Sequence, residues 1–283
     1  MSIFRKTIEL YDQARHADFA HRFGQDPRAS AEIVEAVTLW VLGRVDDALR
    51  LADRALADAT SAAHAPTMGY VLAFAARLGF LRYSPEVVAT YSHALADIVS
   101  RFDLPAFWGG LAVFFQGWAK WSDGSEESGL TQMRRGLAIN REQGIVRFLP
   151  NLEAALAEGE ASADDTDAGL KRLDDALAEL ERTERWYEAE MHRIRAEILL
   201  KRDPADTASA QQALQIRAPS KLPGSLRTQP YPASALAVGM QHGARRRATS
   251  SRGTPRSAGL STLRRLSSME TSICWTATFG KWI

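Results

Sequence analysis

The stretch Leu39–Ala57, LWVLGRVDDALRLADRALA, decides the fold. Trp40 and Leu42 sit near the end of an apolar-periodic run, Gly43 closes it, and Asp46-Asp47 open the next. Ala48, Ala52, Ala55 and Ala59 then recur at offsets of 0, 4, 7 and 11, one face of an α-helix. The stretch reads as two helices folded back on each other, touching along a stripe of small residues.

The second helix of this unit returns along the chain. Ala55-Leu56-Ala57 is followed by Ala94-Leu95-Ala96, Gly136-Leu137-Ala138, Ala176-Leu177-Ala178 and Ala213-Leu214-Gln215, at steps of 39, 42, 40 and 37 residues. A period near 40 belongs to helical solenoids of tetratricopeptide to HEAT length. The stripe returns with it, as Val87/Tyr91/Ala94/Ile98, Gly129/Met133/Gly136/Asn140 and Gly169/Leu173/Ala176/Leu180. One hairpin cannot bury its apolar face alone, so the units are expected to stack. The fold class expected is all-α, a tetratricopeptide-like α-solenoid of about five helical hairpins forming a right-handed superhelix.

Cap chemistry supports the same division. Ser84-Pro85 and Asp203-Pro204 each offer a side-chain acceptor at the N-cap followed by proline at the first helical position. Ser125-Glu126-Glu127 and Asp164-Asp165-Thr166-Asp167 put negative charge at helix starts. The helices expected are 3–14, 29–42, 46–60, 67–80, 85–101, 105–121, 126–143, 145–158, 167–183, 185–202 and 204–215, with 16–26 as a connector. Residues 1–28 form an N-terminal helix and connector, and 29–215 the repeats.

Composition changes after Gln215. From Ile216 onward there are 11 Lys and Arg against one acid, Glu270, which leaves 24 basic and 33 acidic residues before it. Pro219, Pro223, Pro230, Pro232 and Pro255 punctuate a stretch rich in Ser, Arg, Gly and Thr, and no helical stripe continues. Such a composition cannot bury a core, so 216–283 is expected to be a disordered basic tail, with a shifted reading frame as its origin. The acidic body argues against general nucleic-acid binding. Cys274 is the only cysteine, which excludes a disulfide framework. No run reaches the ~18 apolar residues that span a bilayer, and the start, MSIFRKTIELYDQ, lacks the apolar core of a signal peptide. A cytoplasmic protein is expected.

Catalytic patterns are missing. There is no G-x-x-x-x-G-K-[ST], no H-E-x-x-H, no cysteine cluster and no G-x-S-x-G. Asp164–Gly169 resembles the start of a calcium loop but lacks a glutamate at the twelfth position, and a helix cap explains it. His16 and His21, five apart near Asp18 and Asp26, are poorly spaced for a metal on one helix. The Asp and Glu pairs read as surface charge. No cofactor, metal or catalytic residue is expected, and the chain is not expected to be an enzyme.

Three segments carry a resemblance: HRFGQDPR followed by TLWVLGRVDDALRLADRALA, then GWAKWSDGSEESGLTQMRRGLA, then ERTERWYEAEMHRIRAEILLKRDP. Together they resemble the C-terminal tetratricopeptide-like region of large bacterial signalling proteins. In those, a class III adenylate/guanylate cyclase domain or a transcriptional-regulator DNA-binding domain comes first, then an ATPase domain, then the helical repeats. The resemblance covers about residues 3–215. It implies a repeat region that senses or scaffolds, restraining the ATPase or binding a regulatory partner, and a chain that is a fragment of a longer gene product. No catalytic residue carries over, since neither the cyclase nor the ATPase motifs are in this sequence.

The function expected is therefore non-catalytic protein–protein interaction through a concave face lined by the first helix of each pair. Trp108, Trp118, Tyr187 and Arg193 are the partner-binding candidates, because aromatics and arginine dominate interface energetics. Helix 105–121 is aromatic on most sides, so its rings are divided between core and rim. The Glu190/Arg193/Glu197 ladder reads as a solvated face. Two alternatives come from other classes: nucleic-acid or anionic-surface binding through the basic tail, anchored on Arg245-Arg246-Arg247, and a piece of a cyclase-type enzyme lacking its catalytic domain. A solenoid end without a polar capping helix frays. Amide hydrogen exchange in 204–215 is therefore expected to be faster than in 46–60, and equal rates would contradict this.

Overall fold

Asp26 begins the first long helix by accepting a hydrogen bond from the Ala29 amide at 2.8 Å, with Pro27 at the first helical position. The computed structural model describes residues 2–16, 18–145, 148–180 and 185–214. Among these there are thirteen α-helices and no strand. They are α1 (Ile3–Leu10), α2 (Gln13–His16), α3 (Phe19–Phe23), α4 (Pro27–Val41), α5 (Val45–Ala62), α6 (Ala65–Leu81) and α7 (Pro85–Phe102). Then come α8 (Ala106–Ser122), α9 (Glu126–Glu142), α10 (Leu149–Ser162), α11 (Thr166–Glu179), α12 (Glu188–Arg202) and α13 (Thr207–Leu214). The fold is all-α. No described helix is long and apolar enough to cross a membrane. The expected tail, 216–283, lies outside the described residues.

The described residues fall into two compact units, one ending at Ile145 and the other beginning at Phe148. In the first unit α4 packs on α5, α6 on α7 and α8 on α9, while α4, α6 and α8 touch in succession. In the second, α10 packs on α11, α12 on α13, and α10 and α11 both meet α12.

One turn recurs between paired helices. After α4 the Gly43 amide donates to Trp40 O and the Arg44 amide to Leu39 O, with Gly43 at φ 76°. The same two bonds form around Tyr83, Gly124 and Asp164, each with positive φ. This is a helix stop with a left-handed residue just past the end. Within pairs it falls at 43, 83, 124 and 164, at steps of 40, 41 and 40, and the same stop also ends α9 at Gly144. Glycine adopts that conformation freely, whereas Tyr83 and Asp164 are held there against side-chain sterics.

The stripe lies five residues beyond each turn, and its register corrects one expectation. Ala48, Ala52, Ala55 and Ala59 are buried against α4 as expected, and so are Gly129, Met133, Gly136 and Asn140 on α9. In α7, however, the buried line is Val88, Ser92 and Leu95, while Ala94 is exposed. The register at α7 is one residue later than the Ala-Leu-Ala triplets indicate. A large residue takes the contact position, and Gly79 on the facing helix makes room for it. A side chain there would sit 2.9 Å from Val87 and 3.2 Å from Val88.

The α8–α9 pair is the closest. A Cβ at Gly136 would lie 2.5 Å from the Phe114 amide and 2.7 Å from the Gly110 carbonyl. One at Gly129 would lie 2.6 Å from the Trp121 amide. Gly110 in turn leaves space for Asn140, whose Nδ2 donates to the Gly136 carbonyl at 3.0 Å.

Several boundaries move. The expected helix 3–14 stops at Leu10, because Tyr11 turns extended and its hydroxyl donates to Asp26 Oδ2 at 2.8 Å. The connector 16–26 contains α3. The helix expected from 145 begins at Leu149. Asp203 closes α12 and does not cap the next helix; Asp206 does, accepting from the Ser209 amide at 3.1 Å. Pro85 opens α7 as expected, but the Ser84 side chain makes no cap bond.

Gly136→Ala is expected to lower stability by about 1–3 kcal/mol, because backbone atoms on α8 cannot yield to a new methyl group. Gly109→Ala, whose Cβ would find only Val99 at an ordinary 3.7 Å, is expected to stabilise by about 0.5–1 kcal/mol through helix propensity. Urea unfolding followed by tryptophan fluorescence measures both.

Candidate functional site

Carboxylates are buried on the first helices of several pairs, and arginines from the second helices meet them. Glu32 on α4 has no exposed surface. Its Oε1 accepts a hydrogen bond from Arg28 Nε at 3.2 Å and forms an ion pair with Arg54 Nε, on α5, at 2.8 Å. Arg28 also reaches Asp58 of α5 at 2.9 Å. The other oxygen, Oε2, is buried without a hydrogen-bond partner. Burial, reinforced by the charge of Asp58 and opposed by the two arginines, pushes the Glu32 carboxyl up to about 7.

In the second unit Glu153 and Glu160 lie seven residues apart on one face of α10, both buried. Arg172 of α11 spans them. It grips Glu160 with two bonds, Nε to Oε2 at 2.7 Å and Nη2 to Oε1 at 2.9 Å, and Glu153 with Nη1 at 2.8 Å. Burial works against this guanidinium charge, but the two carboxylates outweigh burial and raise its pKa. At the far end of α12, Lys201 Nζ donates to the Ala161 and Ser162 carbonyls at 2.6 and 3.0 Å and pairs with Asp164 at 3.1 Å. A cation there satisfies the last carbonyls of α10 and its dipole.

A third cluster gathers at the start of α4. Asp26 accepts from the Tyr11 hydroxyl and the Ala29 amide, and its own amide donates to Thr67 Oγ1 at 2.8 Å. Thr67 Oγ1 lies 2.9 Å from His64 Nδ1, and His64 meets the ring of His21 edge-on. Burial, together with the hydrogen bond to Asp26, pushes the Tyr11 phenol up to about 12. Burial, together with His21, lowers the His64 pKa.

The structure places the four sequence-derived candidates unequally. Trp118 is wholly buried, packed edge-on against Phe80 and Tyr83 at centroid distances of 5.1 and 6.0 Å. Tyr187 is buried beside Trp186. Arg193 is also buried, gripped by Glu190 at 2.9 and 2.6 Å and by Glu197 at 2.7 Å. These three lie inside the packing, not on a surface, and the ladder read as solvated is largely enclosed. Large rings and guanidinium groups that anchor interfaces also fill cores, so residue type alone does not separate the two uses. Trp108 keeps an accessible side. It is half-buried, edge-on to Tyr70 at 5.8 Å and next to Phe107, and Tyr70 stacks on Phe74 at 4.7 Å. Tyr70 and Phe74 are also half-buried, so a row of aromatics crosses from α6 to α8.

The carboxylate clusters are not evident from the sequence pattern, in which Asp and Glu at helical spacing read as surface charge. A signal was present: α10 is LPNLEAALAEGEAS, and two glutamates seven apart share a face of a helix otherwise made mainly of Ala and Leu. Among the described residues no group of three His, Cys, Asp or Glu is placed to hold a metal ion. The buried carboxylates are engaged by cations, an arrangement suited to holding helices in register. No family model matches the chain, and neither a curated protein nor a solved structure does.

Glu32 makes stability pH-dependent. The unfolded chain releases this proton near 4.5 and the folded chain near 7, so between those values the folded state holds the extra proton. Stability then falls as pH rises. Relative to Glu32→Gln, the wild-type chain is expected to lose up to about 3 kcal/mol between pH 4.5 and 7, read from urea unfolding at several pH values. A pH-independent difference would mean that Arg28 and Arg54 keep Glu32 ionised throughout.

Proposed function

We propose that the chain is a non-catalytic, tetratricopeptide-like α-solenoid that binds a protein partner, as the repeat region of a cyclase–ATPase type signalling protein would. The observation that carries this reading is the recurrence of one helix–turn–helix unit, with equivalent left-handed turns at 43, 83, 124 and 164. In the first unit α4, α6 and α8 touch in succession, so these first helices offer a shared surface. The single cysteine, Cys274, suits a reducing cytoplasm.

The binding surface proposed is the accessible side of α6 and α8, with Trp108 as its anchor and Tyr70 and Phe74 beside it. Half-buried aromatics held rigidly by a core lose little entropy on binding and present large apolar area. Trp118, sealed against Phe80 and Tyr83, belongs to the core beneath α6 and α8.

The test is affinity capture from cell extract with wild type and Trp108→Ala in parallel, followed by titration with the purified captured protein. A partner is expected whose binding weakens by about 2 kcal/mol, roughly 30-fold, on removal of the indole. Binding unchanged in Trp108→Ala would sink the assigned surface. Binding to nucleic acid that vanishes on deletion of 216–283 would replace the reading.

A further inference from the structure

Helix α1 is attached to the first unit differently from every long helix that follows. None of its residues is buried. Phe4, Thr7, Ile8 and Tyr11 form a half-buried inner row at helical spacing, while Ile3 and Leu10 stay 60% and 66% exposed. It packs against α4. Three polar anchors hold it there, all on carboxylates at or before α4. Ser2 Oγ donates to Glu35 Oε2 at 2.6 Å, Arg5 Nε lies 3.9 Å from Glu35 Oε1, and the Tyr11 hydroxyl donates to Asp26. Both carboxylate residues are buried, with Glu35 5% and Asp26 7% exposed.

The connection to α4 is built from short pieces. Helices α2 and α3 have four and five residues. Gly24 then adopts φ 78° with no atom within 4 Å of where a side chain would begin. The lack of buried residues in α1 places it among the segments that open before the body unfolds. Asp26 keeps its bonds to the Ala29 amide and, through its own amide, to Thr67 when Tyr11 leaves, so α4 retains its cap.

We propose that α1 is a releasable strap, occupying a docking site on α4 for a basic amphipathic helix from a partner protein. The charge complementarity is explicit in the contacts. The site offers two buried acceptors, Glu35 and Asp26, beside an apolar strip. The occupant supplies a hydroxyl, an arginine three residues on, and apolar groups at helical spacing. Any partner helix with that pattern competes with α1, whose tether gives it the advantage of a high local concentration. The inference concerns a different face from the Trp108 surface, so either can fail without the other.

The probe is a synthetic peptide of the α1 sequence, SIFRKTIELYDQ, carrying a C-terminal fluorophore and titrated with the full chain. Two proteins are compared, the wild type and the triple variant Ser2→Ala/Arg5→Ala/Tyr11→Phe, which loosens the strap but leaves the site intact. The triple variant is expected to bind the peptide at least tenfold more tightly than wild type. A peptide with Arg5→Glu is expected to bind at least tenfold more weakly. Hydrogen exchange is expected to speed up in residues 3–10 of the variant and to stay unchanged in α5. Equal peptide binding by both proteins, no binding by either, or indifference to the peptide charge reversal would each overturn the proposal. Loss of α5 protection in the variant would also overturn it, since α1 would then be part of the cooperative body.

Discussion

Where α9 lies against α8 and α11 against α10, main chain approaches main chain, and the packing of these pairs depends on that distance. At Gly129 and Gly136 the space for even a methyl group is filled by backbone atoms of α8. Alanines serve the same purpose between α4 and α5. Such contact maximises dispersion and leaves the outer faces free for other helices. It also demands that every pair enter from its turn in the same register, which the stop at 43, 83, 124 and 164 enforces. Where a larger residue occupies the line, as Val88 does, the opposing helix concedes space with Gly79.

Small-residue seams give shape without direction, and the buried ion pairs add direction. Glu32 to Arg54 and Glu153/Glu160 to Arg172 link a first helix to its own second helix at one height only. Burying a carboxylate is costly unless it is paired, so a sliding or rotated helix would strand a charge. The pairing is incomplete at Glu32, whose second oxygen remains buried without a partner, and burial, reinforced by the charge of Asp58, holds its proton well above the ordinary carboxylate range. Arg172 completes the equivalent task with three bonds.

Much of this was legible without coordinates. The period, the stop at Gly43 and the stripe on α5 follow from residue size and spacing within one helix. The α7 register was not legible, because Ala94 looks like the contact residue until Gly79 of α6 is known to face Val88. The partner candidates fared similarly. Trp118 and Trp108 belong to one aromatic helix, and only the positions of Phe80, Tyr83 and Tyr70 decide that the first is sealed and the second is accessible.

The sequence by itself determined an all-α chain built from hairpins about 40 residues apart, because turn residues and 3.6-residue periodicity act within a few residues of each other. Tertiary structure alone decided which charges are buried, where the chain divides into two units, and that Tyr11 leaves its helix to bond Asp26. These outcomes depend on groups distant in sequence: Arg54 reaching Glu32, Arg172 bridging two turns of α10, Thr67 meeting Asp26. A carboxylate reads as surface charge in any local window, and only the arrival of a cation from another helix makes its burial affordable.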